Sequence, residues 1–346
     1  MKIQKGLAVA LCAAFPAIVS AQTNVTLYGR LDVGIDWTQG NKDRNSGYAM
    51  RDNTSRWGVK GVEDLGNGYK ALFGAEWGFS ADEFDPKATT AGKGAINQVR
   101  NTYVAMSGDF GAFALGRLDS ANPTKSPIYS LLTGNVSFVA HDAGAPAIGT
   151  KVFNARNRTS NSIGYITPNF AGLTFMGRYS FNAEMEKLAV GQSEGDKRNI
   201  DLGLDYRNGP VGIGIGYSSD RETGGLSAND FKNKVVGFAS YDFGVLRLSG
   251  SYGRDQYVET TTSRDNVDFW LLGVTAPVGP GKFVMNYMKR DVQSDLHGRL
   301  SKFQFGYDYQ LSKRTKIFAL YDKEDPNDNV HNDNIKTISV GMQHNF

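Results

Sequence analysis

Arg30, Arg56, Lys60, Arg100, Arg158 and Arg178 stand where apolar and polar residues alternate, and each falls on the polar side of that alternation. Asp32, Asp36 and Glu76 share the same side. A repeat of two is the side-chain period of an extended chain, so these charges are expected on one wet face of a sheet. Grouped cations on such a face make no bonds to substrate. Their chemistry is electrostatic: they concentrate anions, and acidic groups opposite them tune the field. Arg30, Arg56 and Arg100 lie on early segments that neighbour one another in a meander and are expected to form a basic cluster. The competing reading is that the arginines are solvated wall residues neutralised by Asp32 and Glu76. The parity of Arg117 is ambiguous.

Other chemistries find little support. Gly212-Ile213-Gly214-Ile215-Gly216 mimics part of a dinucleotide fingerprint, yet no helix follows it. His141, His297, His331 and His344 are scattered without ligand spacing, so no metal site is expected. Asp322, Asp325, Asp328 and Asp333 read as a solvated loop rather than a cation site. Serine is plentiful, but spacing nominates no Ser-His-acid set. No catalytic residue and no cofactor are expected.

The elements that carry these residues follow from the rest of the chain. Residues 1–21 read as a cleaved signal peptide: Lys2 and Lys5, an apolar run from Leu7 to Val19, then small residues at Val19-Ser20-Ala21. The single cysteine of the 346 residues, Cys12, lies inside that segment, so the mature chain has no thiol chemistry. Without Lys2 and Lys5 the formal charge of +3 falls close to neutral, and no nucleic-acid partner is expected. No later stretch approaches the length of a spanning helix.

Val25, Leu27, Gly29, Leu31, Val33, Ile35 and Trp37 alternate with Thr26, Tyr28, Arg30, Asp32, Gly34 and Asp36. That run is longer than a typical globular strand and suits a tilted membrane strand with one lipid face and one wet face. The pattern recurs along the chain and gives about sixteen strands. Short turns, such as Asp64 to Gly68 and Gly108 to Gly111, alternate with longer polar loops. Aromatic residues gather near the strand ends, as interfacial girdles require. The predicted fold is all-β: a transmembrane antiparallel β-barrel of about sixteen strands forming a single domain, residues 22–346.

Asp119 to Asn157 breaks the alternation. It carries Pro123, Pro127 and Pro146, an apolar middle at Ile128, Leu131, Leu132, Val136, Phe138 and Val139, and no carboxylates but Asp119 and Asp142. A structureless stretch of that length is expected to be functional. It follows the fifth strand and is read as a loop folded into the lumen, setting the width of a pore whose sign the wall supplies.

Tyr28-Gly29-Arg30-Leu31-Asp32, the run Ser55 to Gly68, the run Asn101 to Gly111, and Val340-Gly341-Met342-Gln343-His344-Asn345-Phe346 resemble the general porins of β-proteobacteria. The resemblance covers essentially the whole mature chain. It implies a homotrimer of sixteen-stranded barrels in the bacterial outer membrane, in contact with lipid and lipopolysaccharide. Each barrel would hold a water-filled pore for ions and small hydrophilic solutes, narrowed by its third external loop; the mild preference for anions expected of it comes from the basic wall facing a loop with few carboxylates. The resemblance also implies that Phe346 is the mark read for outer-membrane assembly. The Pro-Glu-Phe-Gly run common in the constriction loop of related porins is absent. Two alternatives remain. A surface adhesion or binding protein anchored by its barrel would show no ohmic conductance. An outer-membrane enzyme would lose an activity when one Ser or His is changed.

Overall fold

The computed structural model describes residues 24–40, 46–53, 55–82, 98–118, 158–181, 197–222, 225–226, 230–258, 266–293, 298–327 and 334–346. The signal segment 1–21 and the stretch 119–157, with Asp119 and Asp142, lie outside them.

The described chain is strand throughout. Its first half holds β1 (Asn24–Gln39), β2 (Gly47–Asp52), β3 (Arg56–Gly66), β4 (Tyr69–Gly78), β5 (Gln98–Gly108), β6 (Gly111–Leu118), β7 (Thr159–Ile166) and β8 (Leu173–Ser180). Next come β9 (Lys197–Asn208), β10 (Val211–Glu222), β11 (Phe231–Asp242), β12 (Arg247–Tyr257) and β13 (Asn266–Val278). The last four are β14 (Gly281–Gln293), β15 (Gly298–Gln310), β16 (Thr315–Asn327) and β17 (Ile335–Asn345). Neighbours pair antiparallel, and β17 returns to pair with β1, so the sheet closes on itself.

β2 and β3 share one place in the ring. The first half of β1 pairs with β3 (Asn24↔Val62 to Arg30↔Arg56), and its second half pairs with β2 (Val33↔Asp52 to Thr38↔Gly47). The two are a single interrupted stave, which makes this a closed barrel of sixteen antiparallel strands. Polar side chains hold the break. The Ser55 hydroxyl accepts from the Asp32 amide at 3.0 Å, while the Asn53 amide donates to the Asp32 carbonyl at 2.8 Å. The sequence reading began this stave at Arg56 and missed β2. Its outward apolar residues are only Tyr48 and Met50, too short an alternation to stand out in the sequence.

The two faces separate as solvent chemistry demands. On β1, Leu27, Leu31 and Ile35 are 63%, 41% and 50% exposed, whereas Asp32 and Asp36 are 0% and 1% exposed. The exposed apolar face suits hydrocarbon, where a charge near the midplane costs roughly 2–4 kcal/mol for Arg or Lys. The polar face is the concave one. There side chains of strands two places apart converge, as when the β1 Tyr28 hydroxyl reaches the β4 Glu76 carboxylate. At the short-turn end, outward rings form a chain of contacts: Tyr69 to Phe110 at 6.2 Å, Phe110 to Phe113 at 5.7 Å, and Phe113 to Tyr165 at 4.5 Å. Rings at that height suit the membrane interface.

The sorting is incomplete in one sector. β13 is apolar on both faces: Val267, Phe269 and Leu271 are buried on the inner side, and Leu272 is 59% exposed on the outer. Val284 and Met288 of β14 and Leu320 of β16 extend the inner apolar patch. Parity alone therefore does not make every inward position polar.

Candidate functional site

The inner wall of the first staves carries a charge cluster centred on Glu76. This side chain is 6% exposed. Its carboxylate accepts from Arg100 Nε at 2.5 Å and from the Tyr28 hydroxyl at 3.1 Å, and Arg56 Nε lies 3.6 Å away. Each partner comes from a different strand, so the cluster pins β1, β3, β4 and β5 together on the concave side. Tyr28 lies flat across Gly58, its partner in register. A Cβ on Gly58 would fall 2.8 Å from the Tyr28 ring and 2.7 Å from the Ala75 carbonyl oxygen, so glycine is required for this approach.

Arg100 reaches the inner face through a bulge rather than by alternation. Glu76 pairs with Asn101 while Trp77 pairs with Val99, which leaves Arg100 as the extra residue on β5. Bulges of this kind redirect a side chain. Lys60 extends the cluster, with Nζ 5.1 Å from the centre of the Tyr28 ring, a cation–π distance. Arg30 is the direct cross-strand partner of Arg56 on β3 and of Asn345 on β17, and its Nε donates to Asn345 Oδ1 at 3.3 Å. Like charges directly opposite repel. Glu76 offsets that repulsion for Arg56 and Arg100. Arg56 and Arg100 thus contact Glu76 itself, while Lys60 over the Tyr28 ring and Arg30 opposite Arg56 border the cluster.

The other expected residues stand apart. Arg178 is buried. Its Nη2 donates to Asp201 Oδ2 at 2.8 Å and its Nη1 to the Leu118 carbonyl at 3.3 Å, so its charge is matched locally. Arg158 is half-buried one residue before β7. Arg117 follows a register shift between Gly116 and Leu118, which is why its parity could not be read from the sequence. It sits opposite Thr102, donating to the Val99 carbonyl and the Ser160 hydroxyl.

The sequence reading missed three further features. Tyr28 has the right parity, but nothing in the sequence marks its bond to Glu76. Arg51, on the unforeseen β2, binds Asp36 at 2.5 Å, and Ser339 of β17 donates to the same carboxylate. In the later staves, inward lysines are sunk in carboxylates. Lys302 is 0% exposed between Asp322 at 3.0 Å and Glu324 at 3.3 Å, and Lys234 lies 3.0 Å from Asp255. The inward Lys234 and Lys302 of these later staves are therefore matched locally.

Residues 8–329 match the model of a protein family described as Gram-negative porin. The chain is 31% identical over 319 residues to outer membrane porin protein 32 of Delftia acidovorans, covering 90% of this chain and 87% of that one. The chain belongs to the Gram-negative porin family. A porin of Bordetella pertussis is 29% identical across 98% of this chain and 99% of its own. Among solved structures, the anion-selective porin from Comamonas acidovorans superposes with a TM-score of 0.77 at 26% identity, covering 94% of this chain and all of that one. OmpT of Vibrio cholerae, at 12% identity and a TM-score of 0.69 over 94% of this chain and 98% of its own, shares the fold alone. The sixteen-stranded barrel, with its apolar belt outside and charged wall inside, is thus an outer-membrane porin and a diffusion channel.

Proposed function

We propose that this porin passes ions and small hydrophilic solutes with a mild preference for anions, and that the sign is set by the wall cluster. The observation that carries the reading is the charge count on the early staves: Arg30, Arg51, Arg56, Lys60 and Arg100 share the inner wall with Asp32, Asp36 and Glu76, which leaves the cations in excess. Cations lining a pore lower the barrier for anions and raise it for cations. The similar porin of Comamonas acidovorans is anion-selective, which agrees with this reading. Arg158 and Arg178 take a lesser part in it, because Arg178 is already matched by Asp201. The reading further takes 22–346 as the mature domain, 119–157 as its constriction loop after the fifth stave, and a homotrimer in contact with lipopolysaccharide as the working form.

The test is the reversal potential under a salt gradient across a planar bilayer, for the wild type and for an Arg30→Gln, Arg56→Gln, Arg100→Gln variant. The wild type is expected on the anion side, and the variant near zero or beyond it. A wild-type potential on the cation side would overturn the preference. An unchanged potential in the variant would deny these arginines their role.

A further inference from the structure

A second basic site lies on the neighbouring sector of the wall, across the β1–β17 seam, at the end where the strands are joined by short turns. A cavity of about 570 Å³ opens there between β13 and β17. Its charged lining is Lys282, Lys313, Arg314 and Lys316 with one carboxylate, Asp308. Lys316 and Asp308 match each other at 2.8 Å. Lys282, Lys313 and Arg314 make no ion pair among the described residues. Parity agrees with an inward position: Lys282, Asp308 and Lys316 alternate with Phe283, Tyr309 and Ile317, which belong to the outward apolar face.

The cations are held by a fixed frame. The turn carrying Lys313 and Arg314 is built on Ser312, whose hydroxyl accepts from the amides of Arg314 at 3.2 Å and Thr315 at 3.1 Å. The Arg314 carbonyl in turn accepts from the Asn345 amide at 2.8 Å, which docks the turn on β17. Asn345 Oδ1 accepts from Arg30 and from Gln343. Through that one side chain the cavity adjoins the wall cluster, so positive charge runs from the turn end of the barrel toward Arg30 and Arg56.

We propose that this cavity is a binding vestibule for small polyvalent oxyanions, of which the phosphate dianion is the type. Three unmatched cations on a rigid turn and a strand end exceed what steering of a monovalent ion requires. Arginine and lysine together bind a tetrahedral oxyanion through several oxygens at once, whereas a halide offers one contact. Bacterial porins turn their short connections to the periplasm. The site therefore faces the periplasm and holds such an anion where it enters or leaves the pore. The proposal rests on the channel reading but not on the sign of its selectivity.

The experiment uses the full-length porin in a planar bilayer in potassium chloride, with inorganic phosphate as the probe. Phosphate is expected to inhibit the chloride current in the wild type. A Lys282→Gln, Lys313→Gln, Arg314→Gln variant should need at least tenfold more phosphate for the same inhibition. These residues carry no ion pair, so the variant should keep its conductance in chloride alone. A control removes equal charge from the outward face at the other end of the barrel, through Lys289→Gln, Lys323→Gln and Lys336→Gln, and should respond to phosphate as the wild type does. Equal sensitivity of the wild type and the first variant would overturn the site while leaving the channel intact. A parallel loss in the control would reduce it to overall charge and overturn it as well. Absence of any chloride conductance would overturn the channel reading and the vestibule with it.

Discussion

Replacing Glu76 with Gln should make the pore more anion-selective, although the change touches no cation. Glu76 lies within reach of both Arg56 and Arg100, at 3.6 and 2.5 Å. Its removal therefore exposes one further positive charge to the lumen. For an ion passing roughly 8 Å from that carboxylate in water, one unit charge is worth about 0.5 kcal/mol. Screening at 0.1 M salt reduces this to about 0.2 kcal/mol. Anions then gain, and cations lose, about 1.5-fold each, so the permeability ratio rises about twofold. At 0.01 M salt, where the Debye length is about 30 Å, the same reasoning gives about fourfold. The assay is the reversal potential of reconstituted channels at both salt concentrations, with single-channel conductance recorded to show that the barrel is intact. A shift toward cations, or a shift of equal size at both concentrations, would refute the idea that Glu76 acts through its field. An Arg56→Gln variant should move the potential the opposite way.

Two predictions concern the wall itself. Lys302→Met leaves Asp322 and Glu324 buried without their cation and should cost about 3–5 kcal/mol, read from urea unfolding in detergent micelles. Adding Asp322→Asn and Glu324→Gln should recover most of that loss; an unchanged midpoint in Lys302→Met would show that the buried pair contributes nothing. At the seam between β1 and β17, the Phe346 ring covers Gly29, and the two residues exchange backbone hydrogen bonds at 3.1 Å each way. Phe346→Ala should lose about 1 kcal/mol of cross-strand contact and lower the yield of folded barrel in the outer membrane, while Phe346→Tyr should retain both. Equal yields of folded barrel for Phe346→Ala and the wild type would exclude an assembly role.

Most of the barrel was legible in the sequence, because a membrane strand has to sort its side chains between hydrocarbon and water. The run Val25 to Trp37 shows that sorting residue by residue, and burial follows it: Ile35 is exposed to lipid and Asp36 is buried inside. What escaped are the places where backbone geometry interrupts the alternation. β2 pairs with the second half of β1, but its alternation is limited to Tyr48 and Met50, so it read as loop. Arg100 was expected on the wet face, but the bulge that puts it there was not foreseen. The sequence could place Arg56 and Glu76 on one face, but it could not show that they touch. Nor could it separate Arg178, matched by Asp201, from Arg30, which faces an amide. The vestibule was missed because Lys313 and Arg314 sit in a turn, where parity has no meaning.

The seam also bears on how the barrel comes into being. Every other pairing joins consecutive segments of the chain, whereas the seam brings together Arg30 and Asn345, 315 positions apart. Closing a loop of that length costs about 5 kcal/mol of chain entropy, recovered only when the last strand docks along its whole length. Before that moment the sheet has two open edges, and unpaired backbone groups in hydrocarbon cost several kcal/mol each. Local hairpins can therefore form early and in any order, but the ring closes in one cooperative step. Shaving β1 or β17 should not yield a smaller pore with graded stability; it should yield an open sheet that cannot remain in the bilayer.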